Sequence, residues 1–157
     1  EISKKKIEII VNSTETIKHI QADKHLCVVI LKNLLSNAIF FSKDGGKVEV
    51  TIELALKNSE VEGVEIDEES ILVSVKDNGI GIPEADQSKI FSKMFRASNV
   101  KDSECTGSGL GLYLAKGILE HVGGKLWFSS KENEGSTFYA MFPVKGMEKK
   151  VGKTTLD

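Results

Sequence analysis

Two asparagines, Asn33 and Asn37, lie four residues apart in the segment LKNLLSNA. Residues at this spacing project from one face of a helix, so their side chains would lie next to each other. A carboxamide oxygen is a neutral ligand suited to Mg²⁺, and the NH₂ group can donate to a phosphate oxygen. The spacing therefore indicates a helix face that could bind a magnesium phosphate. The alternative is that both side chains face solvent.

A second group of residues, DNGIG, begins at Asp77 and directly follows a predicted strand. A carboxylate at the end of a strand can accept a hydrogen bond from an exocyclic amine, which adenine has. Guanine has a carbonyl oxygen at that position, which the carboxylate would repel. Gly79 and Gly81 let the backbone approach a flat ligand closely or take a positive φ. The alternative is an ordinary turn, because Asp, Asn and Gly are common turn residues.

A glycine-rich loop formed by Gly107, Gly109 and Gly111 runs into a predicted helix. Such a loop presents free backbone N–H groups and the positive end of the helix dipole to a phosphate. The spacing is not the dinucleotide fingerprint G-x-G-x-x-G, because residue 112 is Leu112, and the chain contains no G-K-[ST] phosphate loop. Arg96, shortly before the loop, could reach a terminal phosphate. A flexible hinge and a solvated arginine are the alternatives.

Helices and strands are predicted around these residues. Asp23 would cap a long helix, Lys24–Phe41, whose apolar residues recur at helical spacing. Pro83 would open a shorter helix over residues 84–95, and another helix is predicted over 112–122. The predicted strands are residues 6–12, 17–21, 47–56, 71–76, 125–130 and 137–143. This order indicates an α/β (α+β) two-layer sandwich, in which a mixed sheet carries its helices on one face.

Composition limits the class of protein. The chain has 157 residues, 40% of them hydrophobic, which is typical of one globular domain. The net charge of −2 argues against nucleic acid as the main partner. No apolar run reaches the roughly 18 residues of a membrane span. The two cysteines, Cys27 and Cys105, suit a reduced, intracellular chain. We predict one domain over residues 1–145 and a disordered, Lys-rich tail over 146–157.

Four segments, taken in order, resemble the nucleotide-binding domain of the GHKL superfamily. The likeness is strongest to the catalytic and ATP-binding domain of two-component sensor histidine kinases. Its N, G1, F and G2 boxes resemble NLLSNA (33–38), DNGIGIP (77–83), IFSKMFRAS (90–98) and GSGLGLYLAK (107–116). The last hairpin, residues 123–143, is similar as well. The resemblance implies the Bergerat ATP-binding fold, with a mixed, mostly antiparallel sheet and about three helices on one face.

The resemblance also implies that ATP and Mg²⁺ are cofactors and gives a role to each matching residue. Asn37 would ligate the Mg²⁺ that bridges the phosphates, Asn33 would support it, and Arg96 would contact the γ-phosphate. Asp77 would accept a hydrogen bond from the adenine amino group. Residues 97–106 would form a lid over the ATP. The other implied ATP-binding residues are Phe41, Gly79, Gly81, Ile82, Gly107, Gly109, Leu110, Gly111, Leu112 and Thr137.

Asn33 favours phosphoryl transfer over hydrolysis. Hydrolytic members of the superfamily carry a Glu at this position to activate water, and an asparagine cannot act as a base at neutral pH. The resemblance implies transfer to a histidine on a separate dimerisation domain and then to the receiver domain of a response regulator. None of His19, His25 and His121 stands in an acceptor-like sequence. The chain itself would be a cytoplasmic monomer, and its parent protein could be anchored in a membrane.

Two departures from the family pattern leave alternatives open. The N box commonly has a Lys or Arg three residues after the magnesium-binding Asn, where this chain has Phe40. Lys43 in the following turn could substitute. The acidic stretch 58–70 is longer than a tight hairpin, and we expect it to be a solvated hairpin loop or insertion. The alternatives are an anti-sigma-type serine kinase of the same fold, a nucleotide-free docking module, and a GHKL hydrolase.

Overall fold

The computed structural model describes residues 5–14, 20–100 and 108–147. In these residues the helices are α1 (Lys24–Phe41), α2 (Glu84–Gln87) and α3 (Gly111–His121), with a 3₁₀ turn at Ser98–Val100. The strands are β1 (Glu8–Ser13), β2 (Lys47–Ala55), β3 (Glu60–Val61), β4 (Val64–Glu65), β5 (Ser70–Asp77), β6 (Lys125–Lys131) and β7 (Gly135–Pro143).

The main sheet has five strands in the order β1-β2-β5-β7-β6. Only the β1–β2 pair is parallel among them; the other three pairs are antiparallel. Helices α1 and α3 pack together on one face of this sheet, where Leu34, Val75 and Leu119 are fully enclosed. This arrangement confirms the predicted two-layer fold with a mixed, mostly antiparallel sheet.

Helix α1 begins and ends as the sequence predicts. The Asp23 carboxylate accepts hydrogen bonds from the backbone N–H groups of His25 and Leu26, which otherwise have no helical partner. At the other end the Ser42 hydroxyl donates to the Ala38 carbonyl at 2.6 Å. Contrary to the prediction, the helix has the length and the mean hydropathy, 1.3, of a membrane span; in the folded protein its residues Ile30, Leu34 and Ala38 are buried against the sheet.

The predicted helix over residues 84–95 is wrong after Gln87. The Asp86 carboxylate accepts hydrogen bonds from both the backbone N–H and the hydroxyl of Ser98, and the Gln87 amide donates to the carbonyls of Ile82 and Ser130. These side-chain bonds hold the segment in a series of turns, because short polar side chains compete with the helical pattern. Met94 has a φ of 58°, which is incompatible with a continuing helix.

Three further predictions, for residues 6–12, 17–21 and 146–157, differ from the structure or lie partly outside the described residues. Strand β1 starts at Glu8, two residues late, because Lys6 has a φ of 50°. The predicted strand 17–21 lies largely outside the described residues, and Ile20 and Gln21 are not in a strand. Of the predicted tail, Met147 is described: its N–H donates to the Gln21 carbonyl at 3.1 Å.

The acidic stretch 58–70 is a hairpin, as predicted, but it is not wholly solvated. It forms the β3–β4 pair, and Ile66 is completely buried on the opposite face of the main sheet, against Leu72 and Met141. Lys125 is paired with Asp67, and Lys145 with Glu68 at 3.0 Å, so ion pairs also hold the segment to the sheet. The prediction missed the apolar residues interspersed among the acids.

Candidate active site

A cleft of about 390 Å³ lies between α1, the segment that follows β5, and the start of α3. Residues from all four of the segments that resemble the family's boxes meet at this one cleft. The predicted site residues that line it are Asn33, Asn37, Phe41, Asp77, Gly81, Ile82, Arg96, Gly109, Gly111 and Leu112.

Four predicted site residues are not among those that line the cleft. Gly107 lies outside the described residues, and Leu110 and Thr137 are absent from the lining. Gly79 has a structural role: its N–H donates to the Asp77 carboxylate at 2.8 Å. A Cβ on Gly79 would lie 2.3 Å from the Phe41 carbonyl oxygen, so only glycine allows this approach.

Asp77, the last residue of β5, holds a carboxylate on the floor of the cleft. Only 5% of the residue is exposed to solvent. Burial raises the pKa of this carboxyl above its ordinary value, and the hydrogen bonds from the backbone N–H groups of Gly79 and Ser136 oppose that rise. No ion pair neutralises Asp77 within the described residues. A buried acceptor of this kind suits a ligand that brings its own donor, such as an amine.

Ser136, and not the predicted Thr137, is the residue of β7 that lines the cleft beside Asp77. Side chains alternate along a strand, and Ser136 is the direct partner of Asp77 in the antiparallel pairing. Ser136 therefore faces the cleft, whereas Thr137 faces the other side of the sheet. The Ser136 hydroxyl lies 2.9 Å from the Ser130 hydroxyl, which also accepts from the Ile82 N–H. The alternation with buried Phe138 is the signal that could have identified Ser136.

At the other end of the cleft, the two asparagines have different environments. The Asn33 amide donates to the Val29 carbonyl at 2.9 Å, one turn back in α1. Its oxygen lies against Gly111, where an added Cβ would be 2.7 Å away, so Asn33 and the start of α3 fit closely. The Asn37 side chain makes no hydrogen bond to any other described residue, which leaves its carboxamide available to a ligand.

Arg96 and Gly109 complete this end of the cleft. The Arg96 guanidinium donates to the Val100 carbonyl at 3.1 Å, which holds it at the cleft wall. Gly109 has a φ of 68°, and its carbonyl accepts from the Met94 N–H at 3.1 Å. The loop before α3 is thus fixed to the turn after α2, with the helix N-terminus directed to the cleft.

The lining also contains residues that the sequence analysis did not assign to the site. Lys43 is not among them: its ammonium group donates to the Asn133 carbonyl at 3.3 Å, so it does not replace the missing cation of the N box. Phe40 itself lines the cleft. The other unassigned lining residues are Ser36, Ile80, Ile90, Phe95, Ser108, Ser136 and Phe138, whereas Ala97, Asn99 and Val100 belong to the predicted lid, whose residues 101–106 lie outside the described part of the chain.

The family model described as histidine kinase-, DNA gyrase B- and HSP90-like ATPase (HATPase_c) matches residues 22–146. The chain belongs to this family. Sensor histidine kinase WalK of Bacillus subtilis is 33% identical over 139 residues, which are 88% of this chain and 21% of WalK. The adaptive-response sensory kinase SasA of Prochlorococcus marinus is 39% identical over 123 residues, which are 78% of this chain and 29% of SasA.

Solved structures agree with this assignment. The nucleotide-free catalytic domain of histidine kinase ThkA superposes with a TM-score of 0.71 and 30% identity, over 95% of this chain and 86% of that domain. ThkA in complex with the response regulator TrrA superposes with a TM-score of 0.66 and 26% identity, over 91% of this chain and 36% of that chain. The chain is thus an ATPase catalytic domain of the sensor histidine kinase type, as the motifs predicted. It spans about a tenth to a third of the length of the curated relatives it matches.

For this HATPase_c domain, we expect Ser136→Val to weaken Mg-ATP binding about tenfold and Thr137→Val to change it less than twofold. Valine at 136 would remove a polar group from the cleft and place two methyl groups there, whereas valine at 137 faces the opposite side of the sheet. Calorimetric titration of both variants is the measurement. A larger loss at Thr137 would show that the family's adenine contact comes from that residue after all.

The raised pKa of Asp77 predicts a pH dependence of the domain's stability. The folded state binds the carboxyl proton of Asp77 more tightly than the unfolded state does. The stabilisation that results is complete below pH ~4 and is lost as the pH rises through the raised pKa. The free energy of unfolding of the wild type minus that of Asp77→Asn should therefore fall between pH 4 and pH 7. Each pKa unit of elevation corresponds to about 1.4 kcal/mol. Urea unfolding at both pH values measures the difference, and a rise would contradict the assignment.

Proposed function

We propose that the chain binds Mg-ATP in this cleft and transfers the γ-phosphate to a histidine on a separate dimerisation domain, in two-component signal transduction. The single observation that carries the proposal is the polarity of the cleft: a buried acceptor, Asp77, at one end, and Asn37 with a glycine-rich helix N-terminus at the other. Among the solved structures, full-length ShkA, 25% identical with a TM-score of 0.68, is described in complex with AMPPNP.

At the Asp77 end, the chemistry of the cleft suits adenine. The Asp77 carboxylate would accept a hydrogen bond from the exocyclic amine of adenine, and Ser136 lies beside Asp77 on the neighbouring strand. Ile80, Ile82 and Phe138 supply apolar walls for a flat ring. Guanine presents a carbonyl oxygen where adenine has its amine, so the same carboxylate would repel it. We therefore propose ATP rather than GTP as the nucleotide.

At the other end, the donor set suits a magnesium triphosphate. Asn37 has an unengaged carboxamide, and the oxygen of such a group is a good ligand for Mg²⁺. Arg96 would contact the γ-phosphate, and the N–H groups at the start of α3 would bind phosphate oxygens. When bound, Mg²⁺ supplies charge neutralisation of the phosphates. The contribution of the chain is to hold the γ-phosphate in place for the acceptor and to exclude water.

Transfer is favoured over hydrolysis because no base that could activate water lines the described part of the cleft. Asp77 and Arg96 are the ionisable side chains among the described lining residues. Asp77 lies at the adenine end, where it accepts from the Gly79 N–H. Asn33, at the position where hydrolytic relatives have a glutamate, donates its amide to α1 itself. We expect the chain alone to hydrolyse ATP very slowly.

Exposed apolar side chains near the phosphate end give the acceptor domain a place to dock. Val29, Met94 and Leu114 are 40%, 66% and 47% exposed. Val29 lies one helical turn from Asn33, Leu114 lies one turn after Leu110, and Met94 is hydrogen-bonded to Gly109. An amphipathic helix of the dimerisation domain could cover these side chains and bring its histidine to the γ-phosphate. The same signalling role implies that the receiver domain of a response regulator accepts the phosphoryl group next. It also implies that the chain lies in the cytoplasm.

Phosphoryl transfer in trans tests the proposal. The chain would be incubated with γ-³²P-labelled Mg-ATP and a purified dimerisation domain of WalK, with its acceptor histidine intact or replaced by alanine. We expect label on the intact domain only, stable in base and released by acid, as phosphohistidine is. Acid-stable label would support the serine-kinase alternative. Steady release of phosphate without transfer would support a hydrolase.

A further inference from the structure

Phe40 lies at the cleft in place of the cation that the N box commonly carries, and a cation from elsewhere in the chain contacts it. The Lys5 ammonium nitrogen lies 5.4 Å from the centroid of the Phe40 ring. Phe40 in turn packs edge-on against Phe41, with ring centroids 5.1 Å apart and an interplanar angle of 82°. Both rings line the cleft. A cation over an aromatic face is attracted by the negative potential of the ring.

The same ammonium group closes the C-terminal end of α1. Lys5 donates to the carbonyl oxygen of Phe40 and, at 3.2 Å, to that of Ser42. The last carbonyls of a helix have no partner within the helix and carry the negative end of its dipole, so a lysine is well placed there. Lys5 therefore fixes both the backbone and the ring of Phe40.

The backbone around Lys5 is tied to the opposite wall of the cleft. The Lys5 carbonyl accepts from the Gly45 N–H at 2.7 Å. The turn that contains Gly45 leads to Lys47, whose N–H donates to the Asn78 side chain at 2.9 Å. Asn78 follows Asp77 directly. Lys5 thus connects the end of α1 with the segment that holds the adenine-binding carboxylate.

We propose that Lys5 is a positioning residue for the nucleotide, and that it acts through Phe40. Lys5 holds the Phe40 ring edge-on to Phe41, in the wall of the cleft where the nucleotide would bind. Without the ammonium group, Phe40 gains rotameric freedom and the end of α1 loosens beside the cleft. The inference rests on the proposed binding of Mg-ATP in this cleft, and it adds a residue outside the four boxes to that site.

A calorimetric titration with Mg-ATP tests this role in four proteins: wild type, Lys5→Met, Lys5→Arg and Lys6→Met. We expect Lys5→Met to weaken binding about fivefold, and Lys5→Arg to restore it to within twofold of wild type because it retains the charge. Lys6→Met is the matched control, with the same loss of charge at the neighbouring exposed residue, and should bind as wild type does. Equal effects of Lys5→Met and Lys6→Met would overturn the proposal.

A double-mutant cycle with Phe40→Leu separates positioning from a merely structural role. If Lys5 acts through the ring, Lys5→Met should change ATP affinity less than twofold in the Phe40→Leu background. The same fivefold loss in both backgrounds would overturn the proposal, as would a loss of stability in urea unfolding with unchanged ATP affinity. Absence of ATP binding in the wild type would instead refute the proposed function itself, so the two failures are distinguishable.

Discussion

Replacing Asp77 by Asn is expected to weaken Mg-ATP binding roughly 100-fold while the domain remains folded. Asp77 is buried on the floor of the cleft, where it accepts from the Gly79 N–H and faces the proposed position of adenine. Asparagine has nearly the same shape but turns one acceptor into a donor, which would face the adenine amine. Loss of a charge-assisted hydrogen bond, with a donor left unpaired, costs about 3 kcal/mol, and each 1.4 kcal/mol is a tenfold change.

The control for this variant is Asp44→Asn. Asp44 is an exposed acid in the turn after α1, so the substitution makes the same change in charge away from the cleft. It should leave ATP affinity within twofold of wild type. Asp77→Asn should also reduce the preference for ATP over GTP, because the repelling carboxylate is gone. Undiminished ATP binding by Asp77→Asn, in a protein whose circular dichroism matches wild type, would show that adenine binds elsewhere.

Gly81→Ala is expected to lower the free energy of unfolding by about 3 kcal/mol and to abolish detectable ATP binding. Gly81 has a φ of 63°, in the left-handed region that a Cβ disfavours. The added Cβ would lie 2.0 Å from the carbonyl oxygen of Lys131, a backbone atom that cannot rotate away. The segment after Asp77 would have to separate from the β6–β7 turn, and the cleft wall would move with it.

Gly45→Ala is a matched control for this substitution. Gly45 has a similar φ of 67°, but no atom lies within 4 Å of its added Cβ. Gly45→Ala should therefore lower the free energy of unfolding by only about 1 kcal/mol, because alanine disfavours this backbone conformation, and should keep ATP binding. Urea unfolding measures both free energies. Equal losses in the two variants would mean that the contact of Gly81 with Lys131 does not hold the cleft wall in place.

Those parts of the fold that rest on local signals could be predicted from the sequence. Helix α1 has apolar residues at helical spacing and a capping aspartate, and its predicted bounds, Lys24–Phe41, are those of the structure. The fold class followed from the order of elements, and the match to HATPase_c over residues 22–146 confirms the family. Most lining residues were predictable because they stand in short segments with recognisable spacing. Asp77 and Asn37 are the clearest examples.

The remaining features depend on contacts between distant segments, which local patterns do not contain. The hydrogen bonds of Asp86 to Ser98 end α2 early, although the sequence continues in a helical pattern. The choice between Ser136 and Thr137 required the register of β7 against Asp77. The contact of Lys5 with Phe40 joins residues 35 apart in the sequence. Each of these was decided by tertiary structure rather than by composition or spacing.

The most direct test of the central claim is a calorimetric titration of the wild-type chain with Mg-ATP, with Mg-GTP titrated in parallel. The carboxylate of Asp77 and the carboxamide of Asn37, at opposite ends of one cleft, predict a single ATP site per chain and at least tenfold weaker binding of GTP. Omission of Mg²⁺ should weaken ATP binding as well. No binding at millimolar Mg-ATP, or equal binding of the two nucleotides, would contradict the account.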